Sequence, residues 1–332
     1  MNFLEKIDFI FKLFTAIVFK KKSPLIISWN ITYKCNLRCK YCGWWKPKAK
    51  ELTTAEVICL VKKLASMKSK AISFSGGEPL LRDDLEEIID VCKREKIYVS
   101  INTNGTLVKS KINKIKKADI IRLSLDGPAD VNDFVRGKGV YDSVIESILT
   151  CKKTGLKVEA TATISRYNVN HILDILNIAK KYGIKVYFQP ADHSHFYSSK
   201  QNFLSWLADE DDYKKAITLL IKEKNKGNIF IGNTVAGLKY LYYWPHPRRI
   251  TCFMKYFFCN IDPDGRIFIC DSFPNYRKFS KPIDSDFGKT FYSLSLPYLC
   301  KQCWCASFAD LNSLASFKEN IVLNLWRGLK RL

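Results

Sequence analysis

From Pro24 to about Asp192, short runs of β-branched and aromatic residues alternate with longer Lys/Glu-rich stretches. The apolar runs LIISWNIT (25–32), AISFSG (71–76), YVSINTN (98–104), IIRLSLD (120–126), VEATATIS (158–165) and VYFQP (186–190) have the length and composition of buried strands. Between them, apolar residues recur at helical spacing and predict helices over 53–67, 82–95, 109–117, 140–154 and 168–182. Thr53 and Glu56 stand at capping-box spacing at the start of the first helix. Gly155 and Gly183 stop the last two. Such alternation builds βαβ units on a parallel sheet. Six strands are too few for the closed eight-stranded barrel. The expected fold class is therefore α/β, a partial (β/α)6 TIM-like barrel over 24–192, with its ligand site at the C-terminal ends of the strands.

The pattern changes after residue 192. A helical connection over 193–244 carries two expected helices, 210–226 and about 233–243, and breaks at Pro245 and Pro247. FFCNID and RIFICD then flank Pro263-Asp264-Gly265, a strong hairpin signal. This predicts a small cysteine-rich β-hairpin/helix domain over 245–307. Both ends are amphipathic. In 1–23, Glu5, Asp8, Lys12 and Thr15 draw one polar stripe along an otherwise apolar helix that leads into Lys20-Lys21-Lys22. The run has too many charges to span a bilayer, and it lacks the flanks of a cleaved signal. It is expected either to lie in a membrane interface or to cap the open end of the barrel. Residues 308–332 read as a basic amphipathic helix, with Leu311, Leu314, Phe317, Ile321, Leu325, Leu329 and Leu332 on one face and Trp326 near its end.

Hydrophobic residues make up 47% of the 332, which excludes a disordered chain. Lys and Arg number 54 against 32 Asp and Glu, a net charge of +22. That excess points to an anionic partner: nucleic acid, a phosphorylated substrate or an anionic membrane surface. No dedicated nucleic-acid motif accompanies it. Twelve cysteines in a chain of this length suit metal ligation in a reducing, cytoplasmic setting better than disulfides.

The cysteines cluster at two places. Cys35, Cys39 and Cys42 form C-x3-C-x2-C directly after the first strand. Three thiolates on one loop can hold three irons of a four-iron cluster and leave the fourth open, whereas four would close it. A zinc loop is the alternative, although zinc sites use paired ligands and close at four. Ser75-Gly76-Gly77-Glu78-Pro79 ends the second strand. Its glycines allow close approach of backbone to a ligand, and Glu78 can accept from an ammonium group. Asn102-Thr103-Asn104-Gly105 ends the third strand. Ser124-Leu125-Asp126-Gly127 ends the fourth and is followed by Arg136-Gly137. Polar residues alternating out of a strand end face the pocket; ordinary turn chemistry would also place Asn, Asp and Gly here.

The cysteine loop, with Tyr41 before its last cysteine, and the ordered strand-end motifs resemble the radical SAM superfamily. The resemblance implies a [4Fe-4S] cluster with one open iron on Cys35, Cys39 and Cys42, and S-adenosylmethionine (SAM) bound beside it. It gives Tyr41 and the Gly76, Gly77, Glu78, Pro79 segment to the cofactor, the segment holding the SAM amino group. Asn102 and Asn104 lie beside them. Ser124 and Asp126 become ribose or substrate-side contacts and Arg136 a contact to the SAM carboxylate. Thr161, Thr163 and Gln189 fall toward the adenine end. Cys252, Gly265, Cys270 and then Cys300, Cys303 and Cys305 resemble the auxiliary-cluster extension of that superfamily, called SPASM when complete and twitch when shortened. The chain departs from the complete form after Cys305, which implies one auxiliary iron–sulfur cluster, on Cys252, Cys270, Cys300 and Cys303. Cys259 reads as packing and Cys305 as an alternative ligand; four-thiolate zinc stays open.

The expected activity is reductive cleavage of SAM to a 5′-deoxyadenosyl radical that abstracts hydrogen from an unactivated carbon, with ferredoxin or flavodoxin as reductant. The amphipathic ends and the charge favour a lipid or lipid-linked substrate and a peripheral position on the cytoplasmic membrane face. A maturase of a ribosomally made peptide is the alternative. The residues before Pro24 are too few for a peptide-clasping winged domain. The non-enzymatic alternative is a basic zinc protein that binds nucleic acid.

Overall fold

The structure, a computed structural model, describes residues 3–46, 49–191, 206–246, 251–270, 276–283, 286–296 and 303–316. All six expected strands form: β1 (Ile26–Thr32), β2 (Ala71–Gly76), β3 (Tyr98–Thr103), β4 (Ile120–Ser124), β5 (Lys157–Ile164) and β6 (Lys185–Pro190). They lie side by side in chain order and all run parallel. Alternate residues such as Ile27, Trp29 and Ile31 of β1, Ile72 and Phe74 of β2, and Val186 and Phe188 of β6 are buried, as the period of two requires. Helices α2 (Thr54–Ser66), α3 (Leu85–Arg94), α4 (Val108–Ile115), α6 (Val140–Lys153) and α7 (Ile172–Tyr182) supply the crossovers. The Thr53/Glu56 capping box closes in both directions, and Gly183 ends α7 in the left-handed region at φ 60°.

One crossover helix escaped the sequence pattern. α5 (Ala129–Arg136) is eight residues long, and its inner face buries Asn132 and Arg136 among the apolar residues. Eight residues make little more than two turns, too short a run for helical spacing to stand out in the sequence.

Past the barrel, α8 (Glu210–Asn225) and α9 (Val235–Leu241) occupy the expected helical connection. Between them, Ile231 bridges Val186. The Asn233 side chain pairs with both the N–H and the C=O of Phe188, at 2.7 and 2.9 Å, and so covers the β6 edge. Next come α10 (Met254–Phe257), β7 (Phe258–Ile261), β8 (Arg266–Phe268), β9 (Lys281–Pro282), α11 (Phe287–Tyr292) and α12 (Ala306–Ser316).

The predicted hairpin forms as β7 and β8, but it does not make a detached domain. β7 pairs in parallel with β1, from Ile26 opposite Phe258 to Trp29 opposite Ile261. One nine-stranded sheet runs β6-β5-β4-β3-β2-β1-β7-β8-β9, and its buried side chains join one core. The hairpin thus extends the barrel sheet, the fully buried FCNI strand covering the β1 edge.

α1 (Phe3–Val18) sits at the opposite end from the site. It buries Phe9, Leu13, Ala16 and Ile17 in the core. Its Asp8 pairs with Lys12 at 2.7 Å and with Lys70, just before β2, at 2.5 Å. Its exit is fixed by the Ser23 N–H donating to the Tyr256 carbonyl at 2.7 Å, next to β7. Lys70 and Tyr256 both precede strands, so α1 closes the N-terminal ends of the barrel strands. No helix among the described residues is long and apolar enough to cross a membrane. Cys300, His193, His195, Arg248, Arg249 and the 317–332 part of the C-terminal helix lie outside the described residues.

Candidate active site

The cysteine loop grows directly from the C-terminal end of β1. There Glu51 accepts from the Thr32 hydroxyl at 2.9 Å and from the Tyr33 N–H at 2.7 Å, turning the chain into Lys34 and Cys35. The end of β2 presses against this stem. The Gly77 N–H donates to the Thr32 carbonyl and the Glu78 N–H to the Lys34 carbonyl, both at 2.8 Å. A Cβ on Gly76 would stand 2.5 Å from the Thr32 oxygen, and one on Gly77 2.2 Å from the Lys34 oxygen. The sequence reading assigned these glycines to close approach of a ligand; in the structure they let two backbone segments touch. Gly77→Ala is accordingly expected to displace the residue before Cys35, costing about 1–3 kcal/mol or more and lowering iron bound per chain after reconstitution. Denaturant midpoint and iron content both read this, and wild-type values in both would refute it.

Glu78 closes the same junction. It is fully buried, and its carboxylate accepts from the Thr103 hydroxyl at 2.7 Å, the Leu80 N–H at 3.0 Å and the Asn104 N–H at 2.8 Å. Burial pushes its pKa up against the pull of these three donors. The side chain therefore ties β2 to β3. Pro79 opens the short helical turn that follows. Asn104 continues the brace by donating to Asn36 of the cysteine loop at 2.9 Å, while Asn36 donates to Thr106 at 2.8 Å. Asn102 donates to Ser73 across the strands at 2.9 Å.

The three thiols share one partly buried pocket. The Cys42 N–H donates to the Cys39 carbonyl at 3.0 Å, and the Cys35 sulfur accepts from the Leu37 N–H at 3.4 Å. Burial raises all three thiol pKa values, that of Cys42 to about 11, and Cys42 also senses the charges of Cys39 and Cys35. Three neighbouring thiols on one loop at the barrel mouth are a donor set that fits a cluster, which gives each thiolate its own iron.

Tyr41 locks this loop to the far side of the mouth. Its hydroxyl donates to Asp126 Oδ2 at 2.7 Å and receives Arg136 Nη2 at 2.5 Å. Arg136 Nε stands 2.8 Å from the same carboxylate oxygen. Burial works against the Arg136 charge, but Asp126, and after it Tyr41 and Cys39, raise its pKa. Asp126 is itself fixed. Its Oδ1 accepts from the Thr163 N–H at 2.9 Å, its N–H donates to Asn132 at 3.0 Å, and its carbonyl accepts from Asn168 at 2.7 Å. Arg136 and Asp126 are paired with each other, and Thr163 takes part through its backbone. Asn132 and Asn168 were missed by sequence reasoning, because single asparagines carry no spacing signal. Ser124, half-buried, ends β4 opposite Thr161.

Gln189, at the end of β6, accepts from the Ala306 N–H at 3.4 Å, where α12 begins. α12 carries the support of the C-terminal cysteines. Its buried Asn312 donates to the Cys303 sulfur at 3.4 Å and accepts from the Phe253 N–H at 2.9 Å, drawing Cys303 toward the residue after Cys252. Asp310 holds the Thr234 N–H and hydroxyl, at 3.0 and 2.7 Å, at the start of α9. Cys270 and Cys303 are buried, and Cys252 and Cys305 are half-buried. Cys259 lies in β7 opposite Ile27, fully buried, and burial alone drives its thiol pKa far up.

A parallel partial barrel with three thiols on the loop after its first strand, braced by the ends of the next four, defines an α/β protein with a thiol-lined site at the C-terminal ends of its strands. Residues 29–166 match the family model of the radical SAM superfamily. It is 36% identical over 169 residues to the Fe-coproporphyrin III synthase of Methanosarcina barkeri, across 49% of this chain and 42% of that protein. It is 30% identical over 168 residues to the mycofactocin maturase MftC of Mycolicibacterium smegmatis, across 48% and 43%. The chain thus spans less than half the length of either relative. Its fold resembles that of native anSMEcpe with bound AdoMet and Cp18Cys peptide, with a TM-score of 0.65 and 18% identity over 93% of this chain and 95% of that one. The match over 29–166 and the enzyme relatives favour an enzyme over the zinc-only, nucleic-acid-binding reading.

Proposed function

We propose that the protein is a radical SAM enzyme acting on a substrate held over the C-terminal ends of β1–β6, and that this substrate is a peptide. The observation that carries the chemistry is the Cys35–Cys39–Cys42 loop, braced by Glu78 and by Tyr41. When bound, a four-iron cluster with one open iron supplies the electron that splits SAM into methionine and a 5′-deoxyadenosyl radical able to take hydrogen from an unactivated carbon. The chain's own residues set the stage. Glu51, Gly76 and Gly77 fix the stem of the loop. Asn36 and Asn104 hold its first half, and Tyr41 with Asp126 and Arg136 holds its second.

Cys252, Cys270, Cys303 and Cys300 are the proposed ligands of an auxiliary cluster, with Cys305 the alternate, and Asn312 orients Cys303 there. A low-potential one-electron carrier such as ferredoxin or flavodoxin is the proposed reductant. The peptide reading is supported by the MftC relative and by the fold shared with a peptide-bound structure. The Fe-coproporphyrin III synthase relative favours a second reading, an anionic tetrapyrrole, which suits the +22 charge. The lipid substrate expected from the amphipathic ends is not retained, because α1 and the mouth lie at opposite ends of strands about 20 Å long.

Anaerobic reconstitution tests the proposal. The expected result is brown protein with about eight irons, the content of two four-iron clusters, that forms 5′-deoxyadenosine from SAM under dithionite. Colourless protein with stoichiometric zinc would sink it. Candidate peptides and iron-coproporphyrin, each assayed for stimulated 5′-deoxyadenosine release, separate the two substrate readings.

A further inference from the structure

α1 has three faces. Phe9, Leu13, Ala16 and Ile17 are buried against the barrel. Asp8, Lys12 and Thr15 form the polar stripe, with Asp8 neutralised between Lys12 and Lys70. On the side away from the core lie Ile7, Phe11, Phe14 and Val18, stepping by four, three and four along one line of the helix. Phe11 is 64% exposed, Ile7 46% and Val18 44%, and Phe14 is half-buried. Phe19 follows at 71% exposure, just before Lys20 ends the helix in the left-handed region at φ 53°. Aromatic residues this exposed, in a row, mark a surface that is covered in use.

The surroundings say by what. Lys20 and Lys21 are exposed at the foot of the helix. Lys22 donates to the carbonyls of Tyr292 and Leu294 at 2.9 and 2.7 Å. Burial lowers its pKa, and the nearby charges of Lys255 and Lys281 lower it further. Lys255 and Lys281 therefore gather around Lys22, three residues after Phe19, with Tyr292, itself exposed, beside them. A strip of apolar side chains bordered by lysines matches the interface of an anionic bilayer: rings enter the acyl boundary and ammonium groups meet headgroup phosphates. A protein partner would have to supply both an apolar groove and an acidic collar in this register.

We propose that the outer face of α1, with Lys20, Lys21, Lys22, Lys255 and Lys281, docks the protein peripherally on an anionic membrane, with the barrel mouth turned away from the bilayer. In this orientation α1 both caps the barrel and lies in the interface, so the two roles read from the sequence belong to opposite faces of one helix. Substrate then enters from the aqueous side.

The test is flotation of the full chain, purified anaerobically, with vesicles of phosphatidylcholine alone or mixed with phosphatidylglycerol. Phe11→Glu/Phe19→Glu and Lys20→Glu/Lys21→Glu leave the buried face of α1 intact, and circular dichroism with iron content checks their folding. The expected result is flotation with the anionic vesicles at low salt, lost at high salt, absent with neutral vesicles, and reduced about tenfold or more in both variants. No flotation of the full chain, or equal flotation of the Phe variant, overturns the proposal. So does flotation that appears only after residues 317–332 are removed, which would place that segment on the stripe. A concentration-dependent dimer abolished by Phe11→Glu/Phe19→Glu without any flotation overturns it in favour of a second copy. The readout needs neither SAM nor substrate, so its failure leaves the radical chemistry untouched.

Discussion

Replacing Cys35, Cys39 and Cys42 together by Ala is expected to abolish 5′-deoxyadenosine formation while leaving about half the iron, the share of a second four-iron cluster. The reasoning rests on independent supports. The loop is held by Glu51, Gly77, Asn104 and Tyr41 through groups other than the thiols, so the triple variant keeps its fold. The C-terminal cysteines are organised from a different direction, by Asn312 on α12, so their cluster has no reason to be lost. The measurements are iron and sulfide per chain, the low-temperature electron paramagnetic resonance spectrum of the reduced protein, and product formation under dithionite. Residual SAM cleavage would remove the loop from the chemistry. Loss of all iron would mean that the C-terminal cysteines hold none by themselves.

Much of this arrangement is legible in the chain. β1–β6 are readable because β-branched and aromatic residues recur at every second position in short runs bounded by helical stretches. The cysteine loop is readable because its three ligands lie within eight residues, which geometry alone makes a site. What is not readable is pairing across the chain. β7 joins β1 over a gap of more than two hundred residues, and nothing local in FCNI announces a parallel neighbour rather than a free-standing hairpin. Glu78, Asp126 and Arg136 sit where ligand contacts were expected, and the sequence shows them as available polar groups. Only the fold reveals that Thr103, Asn104, Tyr41 and each other already engage them. Gln189 is the same case, taken by the start of α12. Gly76 and Gly77 are required, but by backbone meeting backbone, and a glycine pair reads alike for either cause.

Asp126→Asn is expected to produce the largest loss of stability of any single conservative change at the mouth. Asp126 and Arg136 are both nearly inaccessible, with side-chain exposures of 1% and 7%. Removing one partner of such a pair leaves an uncompensated buried charge, which costs about 3–5 kcal/mol. The change reaches further than the pair. Tyr41 donates to the same carboxylate oxygen that faces Arg136 Nε, and the Thr163 N–H holds the other oxygen. An amide must give up one of these acceptor positions, so the segment between Cys39 and Cys42 loses its anchor while the thiols remain. Iron loading should therefore fall along with the denaturant midpoint. Adding Arg136→Gln removes the stranded charge, and the double variant should recover part of the midpoint, as groups in direct contact are non-additive. It should not recover iron loading, because Tyr41 still lacks the carboxylate. A midpoint within about 1 kcal/mol of wild type for Asp126→Asn would show the pair to be solvated, and full recovery of iron in the double variant would show that Tyr41 does not hold the loop.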